Sequence, residues 1–362
     1  MSWVGLADSR GAEFDLSGLS QLSQTRPLKI TERPGAFAAR GTVMLEADVA
    51  QFTVPRPLLG HGLGASFGLT VEFGTEDMLD FKLNIGDNSW DHRLPLKITN
   101  ELQIVRITYA WDVATRAAVL SVYQPRSQHL AQVMVAEPRS IPWAALRSMI
   151  HDAPEMCRAN EVGFVALSRA FEPAGAMPGL TGPTAIATPE GLRPIVEIEA
   201  DDYVLSPHGV PRRVIAAVRR DLPARGSFTP HILHAPYLGI ERDMVLSGES
   251  LVELQGPDVE YLLGVEQVLA EAHQVGEPET LQPEETEPVV RYHQLILEDA
   301  ELFDAGVGVL SLNLGASKPE GLAAVTTLWA DAAGAGLLSH RPDPFPLARP
   351  YEIVTLNASR AA

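Results

Sequence analysis

Few residues of this chain combine the type and the spacing that chemistry requires. Trp90, Asp91 and His92 are consecutive. Such a group can hold a sugar, because an indole stacks on its apolar face while polar side chains bind its hydroxyls. His231 and His234 are three positions apart, which suggests a pair of metal ligands. The single cysteine, Cys157, excludes an intrachain disulfide and disfavours a cysteine-based metal site.

The elements predicted around these residues limit what they can do. His231 and His234 fall on a predicted strand, where residues i and i+3 point to opposite faces. We therefore expect one imidazole to be partly buried and the other exposed, with no shared metal. The Trp90 group is placed in a polar loop after a strand over 80–87, and Cys157 is expected to be partly buried. No cofactor or metal is expected.

The pattern of apolar residues predicts a mainly β protein. Segments such as SFGLTVEFG (66–74) and LQIVRITYAW (102–111) alternate or run apolar at strand length, and turn residues separate them. This indicates an N-terminal β-sandwich. A Pro- and Gly-rich stretch over 173–183 suggests a boundary, and shorter strands follow it. A helix is predicted over 319–338, with Ser317 as its cap and Pro319 at its first position.

Composition and charge exclude several classes of function. The chain has 362 residues, with 28 Lys and Arg against 46 Asp and Glu, a formal net charge of −18. An acidic protein of this kind repels nucleic acid and anionic membranes. No apolar run is long enough to cross a bilayer, and no N-terminal signal is visible, so we expect a soluble protein. It is either cytoplasmic or exported, or particle-borne, by a non-classical route. The predominance of Arg over Lys suggests a GC-rich bacterial genome.

Three stretches after residue 178 carry a resemblance to a known family. They are TAIATPEGLRPIVEIEADDYVLSPHG, RDMVLSGESLVEL and RYHQLILEDAELFDAGVGVLSL. Together they resemble the Hint domain of hedgehog proteins and inteins, in its bacterial form, over about 179–315. The resemblance implies a second all-β unit. The predicted domains are therefore a sandwich over 1–175, a Hint-like domain over 176–316, and a C-terminal helix and tail over 317–362.

The resemblance also implies where a catalytic site would lie. Members of the family begin with a Cys whose sulfur attacks the preceding carbonyl, and a His protonates the departing amide. The Cys position falls here on Gly179, and the His of the second stretch falls on Ser250. The two His positions of the late block fall on Gln294 and Ala300. A glycine has no nucleophile and a serine is neither a useful acid nor a useful base at pH 7, so the catalytic positions are predicted to be degenerate.

Three functions remain open at this point. The first is a non-catalytic binding or structural protein, not an enzyme, whose partner is a protein or a carbohydrate. The second is residual autoprocessing, an N-to-O acyl shift through Thr181 or Ser250 with self-cleavage near Gly179 to Thr184. The third is carbohydrate binding on a surface or a phage-like particle, since the hairpin ITYAWDVATRAAVLSVY resembles those of concanavalin- and laminin-G-like sandwiches. The sequence leaves the oligomeric state undetermined.

Overall fold

The computed structural model describes most of the chain, in two compact units with a boundary between Ala176 and Met177. The boundary falls inside the Pro- and Gly-rich stretch. The described residues are 2–19, 35–49, 55–64, 66–98, 103–151, 154, 156–236, 239–240, 242–278, 287–314, 322–341 and 345–361. The prediction of a mainly β protein is confirmed. Within these residues no helix is both long and apolar enough to span a bilayer.

The first unit consists of strands β1 to β14 and helix α1. Their bounds are β1 Trp3–Asp8, β2 Gly11–Phe14, β3 Phe37–Ala38, β4 Arg40–Val49, β5 Arg56–Leu63, β6 Phe67–Phe73, β7 Met78–Ile85, β8 Asn88–Pro95, β9 Gln103–Asp112, β10 Ala117–Gln124, β11 His129–Met134, β12 Ile141–Pro142, α1 Trp143–Ile150, β13 Met156–Arg158 and β14 Val162–Ser168.

Twelve of these strands form two antiparallel sheets that share one core, and β3 pairs separately with β12. One sheet has the order β11-β10-β9-β4-β14-β1-β2 and the other β13-β5-β6-β7-β8. Residues of β6 alternate between buried and half-buried, as a strand with one face on a core requires. The ring of Tyr109, from the first sheet, lies 5.5 Å from that of Phe81, from the second. Each fully buried side chain of this kind contributes about 1.5–3 kcal/mol to folding.

The structure corrects the expectation for Cys157. This residue lies on β13, a short strand at the edge of its sheet, and it is exposed rather than partly buried. Its neighbours on the strand, Met156 and Arg158, are both half-buried. Because successive residues of a strand face opposite sides, the burial of the two neighbours leaves Cys157 on the outer face.

The second unit consists of strands β15 to β27 and helices α2 to α6. Their bounds are β15 Leu180–Thr181, β16 Ala185–Thr188, β17 Gly191–Pro194, β18 Tyr203–Leu205, β19 Pro211–Pro223, β20 Pro230–Leu233, β21 Met244–Ser247, β22 Leu251–Gln255, α2 Pro257–Leu263, β23 Gln267–Glu271, α3 Ala272–Val275, β24 Glu277–Pro278, β25 Val289–Leu297, β26 Leu302–Asp304, β27 Gly308–Leu310, α4 Ala323–Thr326, α5 Trp329–Gly334 and α6 Pro350–Ala361.

One large sheet positions the residues that the resemblance singles out. Its strand order is β18-β19-β25-β15-β21-β20-β24, and a smaller sheet has the order β23-β22-β27-β26. The two-residue strand β15 lies in the middle, because Leu180 pairs with both His293 of β25 and Leu246 of β21. Leu180 and Leu246 are completely buried in the main core of this unit. The segment that starts at Gly179 is therefore fixed on both sides.

The C-terminal region differs from the single helix predicted over 319–338. Two short helices, α4 and α5, occupy its described part, and the extended backbone of Thr327 separates them. Ser317 and Pro319 lie outside the described residues. A third helix, α6, was missed; it begins at Pro350, a favourable first helical residue, and buries Ile353 and Leu356.

Candidate functional site

The residues that correspond to the family's nucleophile and first histidine do meet in the structure. Ser250 lies in the turn between β21 and β22, and its side chain is buried against Gly179. The Ser250 hydroxyl accepts a hydrogen bond from the Gly179 N–H at 2.9 Å and donates one to the Gly179 carbonyl at 3.1 Å. The N–H of Ser247 also donates to that carbonyl, at 2.8 Å. Both polar backbone groups of Gly179 are thus satisfied.

Position 179 has no space for a side chain. A Cβ atom added to Gly179 would lie 2.7 Å from the Cβ of Tyr292 and 3.1 Å from the carbonyl oxygen of His293. Tyr292 is itself buried, and its hydroxyl donates to the carbonyl of Phe228 at 2.9 Å. Separations below 3 Å between such atoms force the backbone or the neighbour to move. The close approach of β25 therefore suits a glycine here.

The hydroxyl of Thr181, the candidate replacement nucleophile, is already engaged. It donates to the carbonyl of Val245 on the neighbouring strand β21, at 3.1 Å. The carbonyl of Thr181 accepts a hydrogen bond from the Thr184 N–H at 3.0 Å, which closes a tight turn. Thr184 is buried. The two threonines stabilise the turn after β15.

The two positions mapped onto the late histidines, Gln294 and Ala300, are buried within the second unit. Gln294 is buried on β25, and its side-chain oxygen accepts the N–H of Leu295 at 3.1 Å. Ala300 belongs to a small apolar cluster with Leu302 and Leu310. Neither side chain has chemistry that would assist an acyl shift.

An imidazole beside this segment belongs to His293, which precedes the mapped position Gln294 by one residue. His293 is buried, and its Nε2 lies 3.4 Å from the place where a Cβ at Gly182 would be. Burial, reinforced by the charges of Arg219 and Arg291, lowers the pKa of His293 to about 4. An alignment of the late block shifted by one residue would have selected His293. Because neighbouring residues of a strand face opposite sides, the mapped Gln294 lies on the other face.

His231 and His234 differ in burial, but only His231 lies on a strand, in contrast to the expectation that both would. His231 is buried on β20, and its Nδ1 lies 3.0 Å from the carbonyl of Thr229. Burial lowers the pKa of its imidazole. His234 lies beyond the end of the strand, half exposed, with its Nδ1 3.2 Å from a carboxylate oxygen of Asp243. In the parts of the chain that the structure describes, no group of His, Cys, Asp and Glu is arranged to hold a metal.

The Trp90 group does not form the polar loop that the sequence suggested. Trp90, Asp91 and His92 lie within strand β8, at the edge of the five-stranded sheet. The indole is half-buried against the sandwich core, and its N–H donates to the carbonyl of Ala136 at 2.8 Å. Asp91 is exposed on the opposite face, because residues of a strand alternate. The three side chains therefore do not converge on one ligand. Trp90 connects β8 to the backbone at Ala136 through its indole N–H.

Comparison with known proteins bears on both units. The chain has no match among curated proteins. Similar solved structures include the CBM40 module of a Ruminococcus gnavus sialidase bound to sialyllactose (9% identity, 36% of this chain and 77% of that one, TM-score 0.25). They also include toad ovary galectin with thio-digalactose (9%, 38% and 86%, TM-score 0.20) and mouse laminin α1 domains LG4-5 (8%, 75% and 72%, TM-score 0.24). At these TM-scores the likenesses carry no argument.

The family model of the Hint domain matches residues 178–309, about a third of the chain. The matched range begins one residue before Gly179 and spans Ser250 and strands β15 to β26, ending within β27. It thus covers the sheet that holds the Gly179 segment between β21 and β25. Residues 178–309 of this chain form a Hint domain.

Proposed function

We propose that this Hint domain is a non-catalytic scaffold and that the chain serves a binding or structural role at its full length. The observation that carries the proposal is the contact between Gly179 and Ser250. An acyl shift needs an atom at 179 that attacks the carbonyl of residue 178, and a group that protonates the amide nitrogen of 179 as it leaves. Gly179 supplies no attacking atom, and the Ser250 hydroxyl accepts the N–H of that nitrogen instead of protonating it.

The neighbouring groups do not replace what is missing. The hydroxyl of Thr181 donates to Val245, away from the carbonyl of residue 178. The low pKa of His293 keeps its imidazole neutral at pH 7, so it carries no proton to give to a leaving amide. The imidazole lies beside Gly182, where its Nε2 would be 3.4 Å from an added Cβ. A residual N-to-O shift therefore lacks both reagent and proton donor.

The experiment is intact-mass spectrometry of the purified chain after prolonged incubation, with and without a thiol or hydroxylamine. We expect a single species at the full mass of 39.1 kDa. A fragment that starts between Gly179 and Thr184 and disappears in Thr181→Ala would contradict the proposal. The matched variant Thr184→Ala controls for effects of threonine loss in the same turn.

The partner proposed for the scaffold is a protein or a carbohydrate, and the engagement of the Trp90 indole with the carbonyl of Ala136 supports a partner site elsewhere than the Trp90 group. We expect a glycan array probed with the full chain to show no signal that depends on Trp90. Loss of a glycan signal in Trp90→Ala, with retention in the matched variant Trp143→Ala, would contradict this and restore the sandwich as a sugar-binding module.

A further inference from the structure

A cavity of about 430 Å³ lies within the second unit, apart from the Gly179 segment. The loop between β18 and β19 forms one wall, and the residues around the start of β26 form another. Phe345 completes the lining; the backbone that follows it is held against β23, where the N–H of Leu269 donates to the carbonyl of Pro346 at 2.9 Å. The size falls in the usual range for small-molecule sites, about 300–1,000 Å³.

The cavity combines an apolar interior with charged groups. Its apolar lining comprises Pro207, Val210, Ala300, Leu302 and Phe345. Val210 is unusual among these, since a large apolar side chain is left 44% exposed beside the cavity. Exposed apolar surface in a concave site marks a place where an apolar group of a ligand can bind.

Four charged side chains line the same cavity, in two opposite pairs. Arg212 faces Glu301, with its Nε 2.9 Å from a carboxylate oxygen. Arg341 binds Asp299 through its guanidinium, and its backbone N–H also reaches Asp299, at 3.3 Å. An adjoining hollow of about 320 Å³ shares these four residues.

Arginine donors remain available in this cavity. Both carboxylate oxygens of Asp299 are occupied by Arg341. Burial raises the pKa of Glu301, which disfavours its charged form as a partner for a cation. By contrast, the Nη groups of Arg212 have no hydrogen-bond partner within the described chain, and the side chain of Arg341 is 85% exposed. A guanidinium with unused N–H groups is suited to a carboxylate.

We propose that this cavity binds a carboxylate that carries an apolar group, with Arg212 and Arg341 holding the anion and Val210, Leu302 and Phe345 packing against the apolar part. The same chemistry is presented by a free aryl or branched aliphatic acid and by the C-terminus of a polypeptide that ends in an apolar residue. This site is independent of the role proposed for the Gly179 segment.

The test is calorimetric titration of the full chain with matched acids and amides. The free-acid pair is 4-phenylbutyrate and 4-phenylbutyramide; the polypeptide pair is acetyl-Leu-Phe with a free carboxylate and with a C-terminal amide. We expect both acids to bind and both amides to fail, since only a carboxylate uses the guanidinium donors. Tighter binding of the dipeptide acid identifies a polypeptide C-terminus as the natural source, and tighter binding of phenylbutyrate identifies a free acid.

Two variants and a control locate the binding. Arg212→Gln should weaken acid binding by about ten-fold or more, and Val210→Trp, which fills the cavity without removing a charge, should abolish it. Arg219→Gln should leave it unchanged, since Arg219 lies outside the cavity lining and bonds to the carbonyl of Val196. If Arg212→Gln does not fold, Val210→Trp decides. Failure of both acids to bind, equal binding of the amides, or unchanged binding in Val210→Trp would overturn the proposal.

Discussion

Two regions of the second unit differ in how closely their backbone segments pack. Around Gly179 the strands approach until no room is left for a Cβ atom, and a buried serine satisfies the backbone. Around Arg212 and Leu302 the chain leaves a cavity of about 430 Å³ with charged side chains in its wall. One unit thus contains both a closely packed backbone segment and an open cavity lined by charged side chains. Substitutions should therefore disturb the first region strongly and the second weakly.

The largest expected effect follows from adding a methyl group at position 179. Gly179→Ala places its Cβ 2.7 Å from that of Tyr292, and we expect a loss of about 3 kcal/mol in the free energy of unfolding. Denaturant unfolding monitored by circular dichroism measures it. The control is Gly182→Ala, whose Cβ meets its nearest neighbour at an ordinary 3.4 Å and should cost less than about 1 kcal/mol. Equal costs for the two variants would mean that the strands near Gly179 are not closely packed.

The next effect concerns the dependence of stability on pH near the same segment. The pKa of His293 falls to about 4 in the folded chain, below its ordinary value. The unfolded chain therefore binds a proton first as pH falls, so the stability contributed by His293 is present above about pH 6.5 and is lost towards pH 4. The loss amounts to at most about 3 kcal/mol.

Unfolding measured between pH 7.5 and pH 4.5 tests this contribution. His293→Asn should show a flatter dependence than the parent chain, although not a flat one, since burial also lowers the pKa of His231 and of His340. His234→Asn is the matched control, because that imidazole is half exposed. A parent-like slope in His293→Asn would show that His293 is not held neutral by the fold.

A smaller effect is expected where the cavity wall carries an ion pair. Asp299→Asn removes the carboxylate that Arg341 binds and should cost less than about 1 kcal/mol, because the arginine is largely exposed and screened. The neighbouring guanidinium lowers the pKa of Asp299, so this contribution is present at neutral pH and disappears as pH falls through the acidic range. Thermal unfolding at low and high salt measures it. A cost that salt does not reduce would contradict a screened pair.

The smallest effect should come from filling the cavity. Val210→Trp adds an aromatic group next to open space, and we expect the free energy of unfolding to change by less than about 0.5 kcal/mol. Thermal unfolding of this variant beside Gly179→Ala gives the comparison directly. A destabilisation that approaches that of Gly179→Ala would mean that the cavity is closed in solution.

The sequence predicted the mainly β architecture well and its C-terminal helices poorly. Alternation in stretches such as 66–74 is a local signal, and the sheet preserves it. Helix α6 depends on the burial of Ile353 and Leu356 against Val259 and Val268, residues distant in the chain, so a local pattern identifies it less readily. Thr327 interrupts the predicted helix over 319–338 in an extended conformation that its sequence neighbourhood did not indicate.

For the candidate site as well, the sequence singled out some residues and missed others. The resemblance singles out Gly179 and Ser250 separately, and their mutual hydrogen bonds are seen only in the structure. The mapping selects Gln294 instead of His293. An alignment error of one residue exchanges a residue on one face of the strand for its neighbour on the other face. The polar stretch NSWDHR predicts a loop around Trp90, whereas pairing with β7 makes it a strand on which Asp91 and Arg93 are exposed.

By itself the sequence determined which residues stand at the positions mapped from the resemblance: Gly179 has no side chain, and the hydroxyl of Ser250 is neither a useful acid nor a useful base at pH 7, whatever the fold. Only the tertiary structure decided which groups meet. Strand pairing brings Tyr292 and His293 against a segment more than a hundred residues earlier, and the loop between β18 and β19 meets the start of β26 to leave a cavity between them. Long-range packing sets such distances, and no local pattern of residues encodes them.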